Sequence, residues 1–360
     1  MKILIDIGHP AHVHLFKNIA WALEKKGHEV FFTVRDKGCS AYLLEKYGCK
    51  YIVLGKFGVG FLRKIACLFR FVFKTLKFSV RFHPDLFLSH GSIAFAFVSK
   101  LMRKPHISME DTGNLEQIFL YKPFTDIILS PESLKLNLGK KHITYRGYHE
   151  LAYLHPKYFS VDSSVLAELG VKESEKFVII RFSAQNATHD FGYKGMPLKY
   201  KIKCVEEFSK YAKVFISSEE KTESCLDKFN ITIPPEKMHA ALYHAALVYS
   251  EGAKTASEAA LLGTPAIYVD FKGRDYTREQ EEKYGTIFNF GSSFSEYEKS
   301  IQKGIEILSD SFLKEKWRGK KEKIMEDNID TTAFMVWFVE NYPESFAVLK
   351  KDGQYQLKFK

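Results

Sequence analysis

The chain has 360 residues, 46% of them hydrophobic and 15% aromatic, which suffices for two cores of ordinary size and excludes a disordered or fibrous protein. Its net charge of +10, with a pI of about 9.1, favours an acidic partner such as a nucleotide, a nucleic acid or an anionic lipid. Its five cysteines are Cys39, Cys49, Cys67, Cys204 and Cys225. They form no CxxC pair, so neither a zinc framework nor a disulfide framework is indicated, and a reducing cytoplasm is expected.

The first residues, Met-Lys-Ile-Leu-Ile-Asp-Ile-Gly, read as a strand rather than a signal peptide. No uncharged apolar run reaches the roughly eighteen residues of a membrane span. A strand is predicted at Lys2–Ile7, then a loop through Gly8, His9 and Pro10 into a helix striped by Leu15, Ile19, Ala22 and Leu23. Strands follow at 29–34, 50–54, 85–89 and His106–Met109, alternating with helices near 41–47, within 60–82 and from Gly91 to about Met102. The strand at 126–129 reads as the last of this half. Alternation of this kind implies a parallel sheet with helices on both faces. Residues 148–165 read as a linker. The second half has strands at 177–181 and 214–217, a polar loop at 182–200, helices near 201–211 and 236–246, a short apolar piece at 231–233, and a helix-rich tail over 295–341. No repeat is visible.

Residues 247–270 are the most informative stretch. Leu247 to Tyr249 is β-prone, Ser250-Glu251-Gly252 is a turn, and Ala253 to Leu262 is a run of good helix formers. Gly263 sits where a left-handed C-cap belongs, Pro265 stops the helix, and Ala266 to Val269 is the next strand. Small residues at the helix start let a phosphate or diphosphate approach its amides. Glu258, about one and a half turns further, stands where a carboxylate can hold ribose hydroxyls. The plain alternative is an ordinary crossover with a surface glutamate.

Ligands of open parallel sheets bind beyond the carboxyl ends of the strands. The polar residues predicted there are His9, His12, His14, His90, Ser92, Glu110 and Asp111 in the first half, and Ser183, Asn186, Ser218, Glu219, Glu251 and Gly252 in the second. The histidine trio has no Cys or carboxylate at matching spacing, so no metal is expected. His12, at the helix entrance, reads as an acid/base or orienting group; the alternative is histidines that cap and pack. One of Glu110 and Asp111 is expected to face the ligand, or Asp111 to cap a helix before Asn114. Residues 57–84 hold no acid. Arg63, Arg70, Lys74, Lys77 and Arg81 share one helical face, with Phe71, Phe78 and Phe82 beside it. This suits a helix lying on anionic lipid, or a basic solvated face on a core helix. No nucleic-acid module accompanies the charge.

Ser250-Glu-Gly-Ala-Lys-Thr-Ala-Ser-Glu258, Gly263-Thr-Pro-Ala-Ile267 and Pro10-Ala-His-Val13 carry a resemblance to the GT-B superfamily, over most of the chain to about residue 340. The chain is similar to the N-acetylglucosaminyltransferase that forms lipid II and, more distantly, to the non-hydrolysing UDP-N-acetylglucosamine 2-epimerases. It looks closest to a glycosyltransferase-like archaeal and bacterial branch. The resemblance implies an α/β GT-B fold of two facing Rossmann-like domains, with parallel sheets and an interdomain cleft. Residues 1–150 would form the acceptor-side domain, 165–325 the nucleotide-sugar domain, and 326–360 a helix and tail packing back on the first. Glu258 would hold the ribose of a UDP-type donor; Gly252, Ala253, Lys254 and Thr255 would line the diphosphate. Ser183 and Ala184 would match a second phosphate loop, Gln280 would lie near the donor sugar, and His9 would contact substrate. His12, Glu110 and Asp111 would be catalytic. Two departures stand out: His-Pro-Ala-His-Val-His replaces a glycine-rich first loop, and Phe-Ser-Ala-Gln-Asn replaces a glycine-rich second one.

The implied function is a metal-independent, cofactor-free glycosyltransferase of cell-surface polysaccharide or glycolipid synthesis. It would be cytoplasmic or peripheral on the inner membrane face, with a lipid-linked or saccharide acceptor and no nucleic-acid partner. The alternatives are a UDP-N-acetylglucosamine 2-epimerase-like enzyme and a non-catalytic nucleotide-sugar-binding protein.

Overall fold

Short apolar strands alternating with amphipathic helices bury both faces of a parallel sheet, and the chain does this twice. The computed structural model describes all residues except 57, 59, 183–194 and 219–221. It divides into two units, Met1–Tyr158 with Asp327–Lys360, and Phe159–Glu326.

The first unit runs β1 (Lys2–Ile7), α1 (Pro10–Lys25), β2 (Glu29–Arg35), α2 (Ser40–Lys46), β3 (Tyr51–Gly55), α3 (Phe61–Phe82), β4 (Leu86–His90), α4 (Ile93–Met102), β5 (His106–Met109), α5 (Leu115–Tyr121), β6 (Ile127–Pro131), β7 (His142–Tyr145) and α6 (Leu151–Leu154). Its seven-stranded sheet has the order β3-β2-β1-β4-β5-β6-β7, with every pair parallel. The order reverses between β1 and β4, so the loops after those strands diverge and leave room for a ligand.

The second unit runs α7 (Ser164–Glu168), β8 (Phe177–Phe182), α8 (Leu198–Ser209), β9 (Lys213–Ser218), α9 (Met238–His244), β10 (Leu247–Ser250), α10 (Ala253–Leu262), β11 (Ala266–Val269), α11 (Asp275–Glu279), β12 (Ile287–Phe290), α12 (Phe294–Ser309) and α13 (Leu313–Asp327). Its five strands, order β12-β11-β10-β8-β9, are also all parallel, and the reversal lies between β8 and β10. The chain then returns to the first unit as α14 (Thr331–Glu340) and α15 (Glu344–Lys351). Both units are therefore Rossmann-like.

Three expectations are corrected. The strand near 126–129 is not the last of its half, because β7 pairs beyond it, with Ser130 opposite Thr144. The linker does not begin at 148: Tyr148, Leu151, Ala152, Tyr153 and Leu154 are buried, and Asn18 of α1 donates to the Ala152 carbonyl at 2.8 Å. On α3, the phenylalanines expected to dip into lipid turn inward. Phe71 and Phe82 are buried, and Phe78 stacks on Phe82 and lies against Phe31. Phe69 and Phe73, 69% and 66% exposed, face outward instead.

Candidate functional site

In the first unit the β1 loop turns directly into α1. His9 is the N-cap, its Nδ1 accepting from the Ala11 amide at 3.2 Å, and Pro10 takes the first helical position, where no amide hydrogen is needed. Three residues on, His12 points back over the loop, and its Nδ1 accepts from the Gly8 amide at 3.3 Å. That bond fixes the neutral tautomer with its proton on Nε2. The His12 pKa is held well below the ordinary histidine value, first by burial and then by His90, His9 and Arg35, with Asp111 opposing. At neutral pH His12 is thus a hydrogen-bond donor through Nε2. His14 lies apart, buried against Tyr47 and Tyr153.

Beside this loop, Asp6 on β1 is buried and takes Thr33 Oγ1 at 2.8 Å and Arg35 Nη2 at 2.7 Å. Arg35 also reaches Ser92 Oγ at 3.2 Å. Ser92 caps α4 by accepting from the Phe95 amide. The two loops at the strand-order reversal are therefore tied through one guanidinium.

At the end of β5 the adjacent acids separate, as neighbours on an extended chain must. Glu110 turns in and accepts from the Thr112 amide and hydroxyl, the Gly113 amide and the Tyr121 hydroxyl, all at 2.6–3.2 Å. It is 2% exposed and shapes the loop. Asp111 faces the histidines: Oδ1 is 2.9 Å from His90 Nε2, and Oδ2 is 2.9 Å from His149 Nδ1. It does not cap α5, since Asn114 does so through the Gln117 amide. The rings of His90 and His12 lie 4.6 Å apart, and those of His90 and His149 5.3 Å apart. Tyr145 stacks on His149.

In the second unit β10 delivers Glu251 and Gly252 to the start of α10. Glu251 Oε1 accepts from the Met196 amide at 2.7 Å, so it pins the end of the preceding loop. The Gly252 amide, expected to be open, is taken by Ser250 Oγ at 2.9 Å. Among the described residues no side chain caps α10, whose first turn holds Ala253, Lys254 and Thr255. Glu258 is 7% exposed, with Oε1 3.2 Å from His239 Nε2 of α9. Gln280 is fully buried, its Nε2 donating to Ser257 Oγ at 2.9 Å, so it does not reach outward from where the sequence placed it. Ser183 and Ala184 lie outside the described residues, as do Asn186 and Glu219.

Sequence reasoning missed His149, His239, Asp6 and Arg35. His149 fell in the supposed linker, and the others carry no local signal; parallel strand ends bring Asp6, Arg35 and His149 to the site.

The chain belongs to the family described as a protein of unknown function, DUF354, which it matches over residues 1–274. It is 25% identical over 278 residues to the uncharacterized protein MJ0665 of Methanocaldococcus jannaschii, covering 74% of this chain and 81% of that one. Among solved structures, the S. aureus MnaA–UDP co-structure superposes with a TM-score of 0.71 at 14% identity, over 96% of this chain and 97% of that one. The spinosyn rhamnosyltransferase SpnG complexed with spinosyn aglycone gives 0.62 at 14% identity, over 95% and 100%. At this identity the likeness shows a shared fold, that of GT-B glycosyltransferases and 2-epimerases.

Proposed function

We propose that the protein is a nucleotide-sugar-dependent glycosyltransferase, with a UDP-type donor held on the second unit. The observation that carries this reading is the pairing of an α10 N-terminus that no side chain caps among the described residues with a Glu258 carboxylate clamped by His239. The amides and the helix dipole suit a diphosphate, and a positioned carboxylate suits two ribose hydroxyls. Lys254 adds charge where the departing diphosphate gathers it, so that leaving group needs no metal. In the first unit His12, neutral and donating from Nε2, orients the acceptor. Solved structures of the same fold contain UDP and a spinosyn aglycone, which supports a nucleotide-linked donor and a separate acceptor.

A panel of nucleotides and nucleotide sugars in thermal-shift assays tests the donor site. A selective ligand at a hundred times its Kd adds about 2.7 kcal/mol to folding stability. UDP or a UDP-sugar is expected to raise Tm, and Glu258→Ala to weaken that ligand about 10- to 100-fold, as loss of hydrogen bonds to a charged group does. No shift with any nucleotide defeats the reading. A new sugar formed from UDP-N-acetylglucosamine without acceptor assigns the epimerase instead. Ligand binding without turnover, unmoved by His12→Ala, assigns the binding protein.

The acceptor side carries a second proposal, a lipid-held acceptor. On the 3.6-residue spiral of α3, exposed Phe69, Phe73 and Val80 form a stripe directly beside exposed Arg63, Arg70, Lys74, Lys77 and Arg81. Aromatic residues beside cations match the acyl–headgroup boundary of an anionic bilayer. Phe69→Ser with Phe73→Ser is expected to abolish sedimentation with anionic vesicles; equal binding to neutral vesicles, or none by the parent, rules it out.

A further inference from the structure

We propose that His90, Asp111 and His149 form a binding site for one divalent transition-metal ion of the zinc and cobalt class. Among the described residues, these three form the group of metal-ligand side chains whose donor atoms all lie within 4.8 Å of one another. Two imidazoles and one carboxylate are a ligand set that such ions accept, and hard ions such as magnesium do not favour. Asp111 Oδ1 lies 2.9 Å from His90 Nε2 and its Oδ2 lies 2.9 Å from His149 Nδ1, close to the separation of about 3.4 Å that bonds of about 2.1 Å set between neighbouring ligands of a tetrahedral ion.

The frame around the three residues is built rather than incidental. His90 is the last residue of β4, and Asp111 and His149 lie in the segments that follow β5 and β7, three strands of one sheet. Glu110 absorbs the hydrogen bonds that shape the β5 loop, and this leaves Asp111 to the histidines. The His149 side chain is fully buried, and those of His90 and Asp111 are each 10% exposed. Tyr145 closes one side of the group, near the Asp111 charge. Its ring stacks on His149, it is fully buried, and its hydroxyl has no hydrogen-bond partner among the described residues. A buried hydroxyl without a partner is costly, and a water carried by the ion would offer it one. Three protein ligands leave a coordination position for such a water or for a substrate oxygen. The site stands apart from the donor reading, because ion binding needs neither nucleotide nor turnover.

The test uses the full chain, stripped with chelator and titrated with Co(II), whose visible absorption reports ligand geometry. One equivalent per chain is expected, bleached by one equivalent of Zn(II). X-ray absorption on the loaded parent is expected to show two imidazole ligands, a readout that needs no variant. Asp111→Asn, which keeps size and shape, and His149→Ala are each expected to weaken the ion at least tenfold, while His14→Ala leaves it unchanged. The proposal is overturned if the parent binds no ion at one equivalent. It is also overturned if the spectrum shows no imidazole, or if folded Asp111→Asn protein binds as the parent does. In those cases Asp111 serves only as a hydrogen-bond bridge between two imidazoles.

Discussion

His106 shows how much a single buried side chain can set. It stands on β5 with no exposed surface, its Nε2 2.9 Å from Ser89 Oγ on the neighbouring strand. Burial lowers its pKa from the ordinary histidine value to about 3. In the unfolded chain it titrates near 6.5. Below that pH the unfolded state takes up a proton that the folded state refuses, so the stability His106 confers is complete above pH 6.5. It is lost as pH falls towards 3, by up to about 1.4 kcal/mol per pH unit. Urea unfolding at pH 7.5, 6 and 5 is expected to show declining stability. His106→Gln, which retains a partner for Ser89, is expected to flatten that decline by close to one proton. Equal slopes in the two proteins would mean that His106 is charged in the fold.

At the scale of elements, α12 packs so closely that one of its turns admits only glycine. A Cβ built on Gly304 meets Phe208 Cε1 at 2.5 Å, Phe208 Cζ at 2.6 Å and Leu247 Cδ2 at 3.2 Å, and all three atoms belong to the core under α8 and β10. Alanine normally stabilises a helix by about 1 kcal/mol over glycine. Overpacking costs about 1–3 kcal/mol and wins here, because the aromatic ring of Phe208 is itself fully buried. Gly304→Ala is expected to lower the urea midpoint; a raised midpoint would show the ring free to move. Elements differ in what the sequence discloses. The helix start, Gly263 cap (φ 87°) and following strand around α10 were legible because their rules are local. On α3 the basic stripe was legible, yet phenylalanines occur on several faces, and only packing against Phe31 and α4 decides which are buried. β7 is four residues long and preceded by lysines, so its pattern is too short to separate from a loop. The meeting of His90, Asp111 and His149 depends on the strand order, which no spacing encodes.

At the scale of the whole molecule, the chain leaves the first unit at Tyr158 and re-enters it at Asp327, so that unit is assembled from both ends of the sequence. The returning segment is bound by more than apolar contact. Asp330 caps α14 through the Ala333 amide and accepts from the Tyr158 hydroxyl. Thr332 Oγ1 donates to the Ala152 carbonyl, and the Arg146 amide to Gln356 Oε1. Glu340 pairs with Lys26 and His28 at the end of α1. Phe334, Met335, Phe338 and Val339 of α14 are buried at 0–1% exposure. Each contributes about 1.5–3 kcal/mol, an upper range because unfolded chains also bury some surface. Together that is as large as the 5–15 kcal/mol net stability of a typical domain. Removing residues 328–360 is therefore expected to unfold the first unit and to spare the second, whose core lies wholly within Phe159–Glu326. Limited proteolysis of the truncated protein should leave a resistant fragment over the second unit while cleaving within β1–β7, and calorimetry should lose one of two transitions. Resistance of both units would show that the first unit's sheet is stable without its returning helices.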